Sequence, residues 1–218
     1  MKRKVAVVLS GCGHKDGAEI TESVSTLIAL SEAGAEFEIF APSLDFNPTN
    51  HLSSETNKND LRNSLVEAGR IARGHAKDIT ELHQKNFDAV IFPGGYGAAL
   101  LLSDWGQKGA KAHVHPEVER VIKEFHKASK PIGAICIAPT LVARVLGAEG
   151  VTVTIGDNHE VAKEIEKTGA QHVECPVEDF ITDRLHKVIT TPAYMCDARP
   201  HQVFQGIKGL VKELVEMA

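Results

Sequence analysis

Lys130-Pro131-Ile132-Gly133-Ala134-Ile135-Cys136-Ile137-Ala138-Pro139-Thr140 is the stretch that decides the fold. The apolar run after Pro131 reads as a strand buried on both faces. After Pro139 the pattern becomes helical, in Leu141-Val142-Ala143-Arg144-Val145-Leu146. A strand that turns sharply into a helix with a thiol at the corner is a nucleophile elbow. The positive end of the helix favours thiolate, and neighbouring N–H groups can hold a developing oxyanion. The competing reading of Cys136 is a buried structural cysteine, since free cysteine is among the most buried residue types.

The same strand–turn–helix logic extends toward the N-terminus. Lys4-Val5-Ala6-Val7-Val8-Leu9-Ser10 is a continuous apolar run that ends at Gly11-Cys12-Gly13. A helix with Ile20, Val24, Leu27 and Ile28 at apolar period follows and stops before Gly34. Glu36-Phe37-Glu38-Ile39-Phe40-Ala41 then alternates as a strand. This is a βαβ unit, which predicts a mainly parallel, doubly wound sheet with helices on both faces. Phe87-Asp88-Ala89-Val90-Ile91-Phe92 is a further strand, closed by Pro93-Gly94-Gly95-Tyr96-Gly97. A glycine-rich turn at a strand's carboxyl end is where such sheets bind ligands. Neither Gly-x-Gly-x-x-Gly nor a P-loop is present, so Gly94 and Gly95 are expected to offer N–H groups to the pocket of Cys136 rather than to a nucleotide.

Elsewhere the reading is coarser. Residues 42–58 form an irregular excursion, and a helix is predicted from Asn59 to Arg73 with Leu61, Leu65, Ala68 and Ile71 on one face. His113 and His115 lack a third ligand nearby and read as a solvent-exposed loop pair. Pro116 opens a helix with Val118, Val121, Ile122 and Phe125 inward. Gly150-Val151-Thr152-Val153-Thr154-Ile155 reads as a strand, as does Lys187-Val188-Ile189-Thr190-Thr191; His172-Val173 and Phe180-Ile181-Thr182 are shorter candidates. A last helix from Pro200 repeats Val203, Ile207, Leu210 and Leu214. The whole, residues 1–218, reads as a single domain with an embellishment at about 42–75.

Composition narrows the function classes. The chain has 218 residues, 43% hydrophobic and 24% charged, with a net charge of −5 and no basic cluster beyond Lys2-Arg3-Lys4. A nucleic-acid partner is not expected. Four dispersed cysteines (Cys12, Cys136, Cys175, Cys196) form no Cys-x-x-Cys pair, which predicts reduced thiols and no zinc ribbon. Val5 to Leu9 is too short for a secretory core, and no apolar segment is long enough to cross a membrane. A cytoplasmic (bacterial) location is expected, or an organelle matrix if a targeting peptide has been removed.

Three strand ends, Gly11-Cys12-Gly13, Gly94-Gly95 and Cys136, should meet at one sheet edge, with Glu19 and Glu22 on the first helix beside them. In these residues the sequence resembles the ThiJ/PfpI superfamily. The resemblance rests on Val5–Ser10, Gly17-Ala18-Glu19-Ile20-Thr21-Glu22-Ser23-Val24, Phe92-Pro93-Gly94-Gly95 and Ala134-Ile135-Cys136-Ile137-Ala138-Pro139. Leu9-Ser10-Gly11-Cys12-Gly13, Asp16-Gly17, Ile155-Gly156 and Thr190-Thr191-Pro192-Ala193-Tyr194-Met195 further resemble its ElbB subgroup. The resemblance implies a flavodoxin-like, class I glutamine amidotransferase-like fold. It also implies a glutamate partner for the elbow cysteine, matched by Glu22, with Glu19 as the backup.

The sequence departs from the superfamily's hydrolases. Ile137 stands where PfpI-type members carry histidine, Thr154-Ile155-Gly156-Asp157 supplies none, and Thr190-Thr191-Pro192-Ala193 lacks the His and Glu of true amidotransferases. Protease and glutaminase chemistry are therefore disfavoured. The subgroup implies a glyoxalase that needs no cofactor or metal and converts the small reactive aldehyde glyoxal to glycolate. Cys136 would be the nucleophile, Glu22 the proton relay, and the N–H groups of Gly95 and Ile137 the oxyanion donors. Cys12 either lines the pocket or is a spectator, and its Gly-Cys-Gly setting favours lining. The competing readings are a non-catalytic or redox-sensing protein using the same thiol, and an amidotransferase subunit working with a synthase partner. The subgroup name also carries an association with isoprenoid biosynthesis, and relatives imply a homodimer.

Overall fold

The computed structural model describes residues 2–218. Strand β1 (Lys4–Val8) lies near the middle of the sheet, and Val5 to Leu9 are wholly buried, as a strand covered on both faces requires. It leads through α1 (Ile20–Glu32) to β2 (Glu36–Ala41), the expected βαβ unit. The excursion holds a short antiparallel ribbon, β3 (Asp45–Phe46) with β4 (Arg62–Asn63), then α2 (Ser64–Ile71) and the edge strand β5 (Ala76–Asp78). Strand β6 (Ala89–Phe92) ends at the glycine turn, followed by short helices α3 (Gly97–Leu100) and α4 (Trp105–Lys108). Helix α5 (Pro116–Lys127) feeds β7 (Ile132–Ile135), which turns into α6 (Pro139–Leu146). The remainder comprises β8 (Thr152–Val153), α7 (His159–Glu166), β9 (Gln171–His172), β10 (Ile181–Asp183), β11 (Val188–Thr191) and α8 (Pro200–Met217).

The main sheet has seven strands in the order β10-β11-β7-β6-β1-β2-β5. All neighbours are parallel except the β10–β11 hairpin. From β1 the chain steps one way to β2 and later the other way to β6, β7 and β11. With right-handed crossovers, that reversal puts α1 and α5 on opposite faces. Helix α8 packs on α1, and α6 packs on α5. The carboxyl ends of β1, β6 and β7 therefore open onto one crevice at the switch point. Gly133 in β7 lets the sheet close: a Cβ there would come within 2.9 Å of Ile91 and Leu214.

Four expectations need correction. The predicted α1 stripe is on the wrong face: Ile20, Val24 and Ile28 are 50%, 41% and 46% exposed, and Glu22, Ser23, Thr26, Ala29 and Leu30 are buried instead. Helix α2 starts at Ser64, not Asn59, because the Asn63 side chain caps it by accepting from the N–H groups of Leu65 and Val66. Leu61 accordingly lies outside the helix, exposed. The stretch 150–155 contributes only β8, paired with β9 in a separate two-stranded ribbon. That ribbon is tied to the main sheet by side chains, Thr152 N–H donating to Asp183 and Thr154 N–H to the Thr190 hydroxyl.

Candidate active site

Three backbone features build the corner. Cys136 has φ = +62°, the left-handed region that non-glycine residues enter only when their surroundings hold them there. Its N–H is fixed by the Thr191 carbonyl of β11 at 3.0 Å. Beside it, Gly94 admits no side chain. A Cβ there would run into the Cys136 Cβ and lie 2.6 Å from Glu22 Oε2 and 2.8 Å from the Ile135 carbonyl. Gly95 has φ = +96° and sits against the backbone of Gly17 and Glu19. Backbone hydrogen bonds from Glu19 to Gly94 (2.9 Å) and from Tyr96 to His14 (2.8 Å) lock the first loop to the glycine turn.

Glu22 is completely buried behind the thiol. Its Oε2 accepts from the Gly94 N–H at 3.0 Å, and its Oε1 from the Tyr194 N–H at 3.3 Å. Its side chain is also hydrogen-bonded to Cys136. Glu19 is the N-cap of α1, its carboxylate accepting from the Glu22 N–H at 2.6 Å, so it is a capping group rather than only a solvated neighbour. Burial, reinforced by the Glu19 charge, pushes Glu22 up to about 8. At neutral pH the carboxyl therefore holds its proton.

The thiol does not follow the helix-dipole expectation. Cys136 is 8% exposed, and burial, together with the charge of an ionised Glu22, pushes it well above its ordinary value. The N–H groups of Gly95 and Ile137 hydrogen-bond the sulfur and pull in the other direction, but desolvation wins. The pair ionises as a unit. When Glu22 is protonated its repulsion disappears, and its O–H joins the two N–H groups as a donor to sulfur.

A cavity of about 510 Å³ opens over the sulfur, walled by Cys136, Ile137, Gly95, Tyr96, Trp105 and Tyr194, with Glu19, Asn158, Glu160 and Glu164 at its polar margin. Gly94 and Glu22 stand behind this wall, not in it. Cys12 is not in it either. It lines a smaller adjoining cavity of about 250 Å³ with Asp16, Thr49, His51 and Arg62, so the expected placement of Cys12 at the thiol pocket is corrected. The β1 loop turns away before Cys12 can reach β7, and the excursion covers it.

His14 and Glu19 form the partition between the two cavities. His14 is the one histidine lining the larger, and its ring meets His51 edge-on at 4.9 Å. Sequence reading passed over it, because a loop histidine far from the elbow carries no local signal. Tyr194 enters the sequence reading only as part of the Thr190–Met195 resemblance, and its backbone N–H reaches Glu22 from the segment that follows β11. His113 is exposed beside Asp104, and His115 caps α5 by accepting from the Glu117 N–H, as befits a loop pair.

Comparisons with known proteins identify the family of the fold. The model of the DJ-1/PfpI family matches residues 4–193. The human glutamine amidotransferase-like class 1 domain-containing protein 3, mitochondrial, is 44% identical, the match covering 98% of this chain and 83% of that one. The zebrafish (Danio rerio) ES1 protein, mitochondrial, is 36% identical, with coverage of 98% and 85%. Among solved structures, an isoprenoid biosynthesis protein with amidotransferase-like domain from Ehrlichia chaffeensis superposes with a TM-score of 0.91 at 35% identity, covering 98% of this chain and 99% of that one. Drosophila melanogaster DJ-1beta shares the fold alone, at TM-score 0.57 and 18% identity over 99% and 95% of the two chains.

Proposed function

Because the chain belongs to the DJ-1/PfpI family, we propose that it is a thiol-dependent carbonyl enzyme of the glyoxalase type, acting without a cofactor on a small reactive aldehyde. The observation that carries this reading is the contact of a buried, protonated Glu22 with a Cys136 sulfur that also receives the Gly95 and Ile137 N–H groups. No imidazole is hydrogen-bonded to that sulfur, so the carboxyl is the group placed to move its proton.

The reaction balances with these parts. Sulfur, its proton having passed to water, adds as the thiolate to one aldehyde carbon of glyoxal, and the alkoxide that forms takes the Glu22 proton, giving a hemithioacetal and leaving Glu22 as the carboxylate. The Glu22 carboxylate removes the C–H proton of that carbon, and the electron pair passes into an enediol. Reprotonation at the neighbouring carbon gives the hydroxyacetyl thioester. Water then attacks the thioester, releasing glycolate and returning the thiol. The Gly95 and Ile137 N–H groups face the oxyanions of the first and last steps, where one such donor is worth about 3 kcal/mol. A positioned proton relay contributes roughly 10²–10⁴-fold.

Purified protein is incubated with glyoxal and glycolate is measured. Cys136→Ala is expected to abolish turnover, and Glu22→Gln to lower it by at least about 100-fold. Turnover unchanged in Cys136→Ala sinks the mechanism.

The exposed α1 stripe of Ile20, Val24 and Ile28 supports a homodimer. The mitochondrial names of two relatives support an organelle matrix as the setting, and no helix among the described residues is long and apolar enough to cross a membrane. The solved relative's name supports a place near isoprenoid metabolism, for which no residue of the site gives a chemical reason.

A further inference from the structure

At the sheet edge opposite the thiol, three segments distant in sequence converge. His126 lies in the last turn of α5, Glu149 in the turn after α6, and His186 in the turn between β10 and β11. One ligand atom from each lies within 4.8 Å of the other two. We propose that His126, Glu149 and His186 form a site for a divalent transition metal of the zinc class.

The arrangement around His186 is that of a metal ligand. Its Nδ1 is 2.8 Å from Asp183 Oδ2, and both side chains are nearly buried, at 12% and 8% exposure. Asp183 is itself fixed, accepting from the N–H groups of Thr152 and His186. A carboxylate that holds one imidazole nitrogen fixes the tautomer and leaves Nε2 with its lone pair free, which is how metal-bound histidines are oriented. His126 is four-fifths buried, and among the described residues no hydrogen bond reaches either of its ring nitrogens. Its nearest polar partner is Glu149, at 3.8 Å. The two rings stack, 5.7 Å between centroids and 25° from parallel. A part-buried histidine with no hydrogen-bond partner is the group that a bound cation would complete.

The donor set selects the ion. Two imidazoles and one carboxylate suit zinc-like cations, whereas calcium and magnesium take oxygen ligands. Tetrahedral coordination places ligand atoms roughly 3.4 Å apart, so the three must draw in by about an ångström. Glu149, exposed on a short turn, is free to make most of that movement. The ion would join the end of α5, the turn after α6 and the β10–β11 hairpin. That ties together the starts of β7 and β11, whose far ends carry Cys136 and the Tyr194 N–H.

The test uses chelator-treated full-length protein titrated with Zn²⁺ against a chromogenic zinc indicator, with melting followed in parallel. One ion per chain is expected, retained in a Cys12→Ser/Cys136→Ser double variant. Affinity should fall at least tenfold in Glu149→Gln and in His186→Ala. Zinc should raise the melting temperature of the parent and not of Glu149→Gln. Glu149 is exposed, so its substitution leaves the fold intact and keeps the comparison decisive if His186→Ala does not fold. Failure to retain zinc, equal affinity in Glu149→Gln, or loss of binding with the cysteines would each overturn the site.

Discussion

At the scale of the residue, Gly94 is the position that the elbow tolerates least. A methyl group there would displace either the Cys136 Cβ or Glu22 Oε2, and so separate the two groups that must touch. Gly94→Ala is therefore expected to reduce glycolate formation to near the level of Cys136→Ala. A stability loss of roughly 1–3 kcal/mol should accompany it, read from the urea midpoint. Cys12→Ser, in the neighbouring cavity, should leave turnover within about twofold. Retained activity in Gly94→Ala would mean that Glu22 need not touch the sulfur. Cys136 and its neighbouring N–H groups are legible in the sequence from the elbow, whereas Glu22 is singled out over Glu19 only by the resemblance. The ionisation of the thiol is not legible there. A helix N-terminus is visible in a sequence, but the desolvation that outweighs it depends on how the folded chain buries Cys136. Cys12 misled for a similar reason, since three strand ends on one edge share a direction and not a cavity.

At the scale of the element, α1 shows how periodicity finds a helix and can still misplace its buried side. Its most apolar residues, Ile20, Val24 and Ile28, face outward, and a carboxyl with Ser23 and Thr26 faces the sheet. The inversion is a consequence of the site: Glu22 has to lie behind Cys136, and residues one turn along the same side go in with it. The stripe left outside occupies successive turns of the helix, an apolar face without a partner in the single chain. Val24→Glu is expected to shift the protein from dimer to monomer in light scattering, with glyoxal turnover per chain measured alongside. A monomeric parent protein would remove this role for the stripe. Helix α8 is the opposite case. Its repeat of Val203, Ile207, Leu210 and Leu214 at helical spacing is fully buried. Strand β5 carries no signal because Ala76-Lys77-Asp78 has little strand character, and the strand expected over 150–155 shrinks to Thr152–Val153, which pairs outside the main sheet.

At the scale of the molecule, a mainly parallel sheet with helices on both faces is readable from alternating βα patterns, because parallel sheets impose buried strands and right-handed crossovers, whereas the strand order is not. What could not be read was which distant residues the two sheet edges gather. His126, Glu149 and His186 have no shared motif, and only the folded topology makes them neighbours. The same topology gives the whole fold a pH dependence. Glu22 moves from 4.5 to about 8 on folding. Between those values the unfolded chain has lost this proton and the native state keeps it, so stability falls as pH rises through the window. Above about 8 the loss is complete, on the order of 5 kcal/mol. Cys136, also raised, adds a further decline above the ordinary thiol value of 9.0. Glu38 and Asp183 are lowered on folding, so their contributions are present at neutral pH and disappear only in acid. Urea midpoints should therefore be higher at pH 5.5 than at pH 8.5. In Glu22→Gln this contribution to the slope is removed. That variant should start lower at pH 5.5, because the Gly94 and Tyr194 N–H groups each require an oxygen and glutamine offers one. The two curves should then converge toward pH 8.5. Parallel curves would mean that Glu22 is ionised in the native protein near neutrality, and the proton relay assigned to it would fail with them.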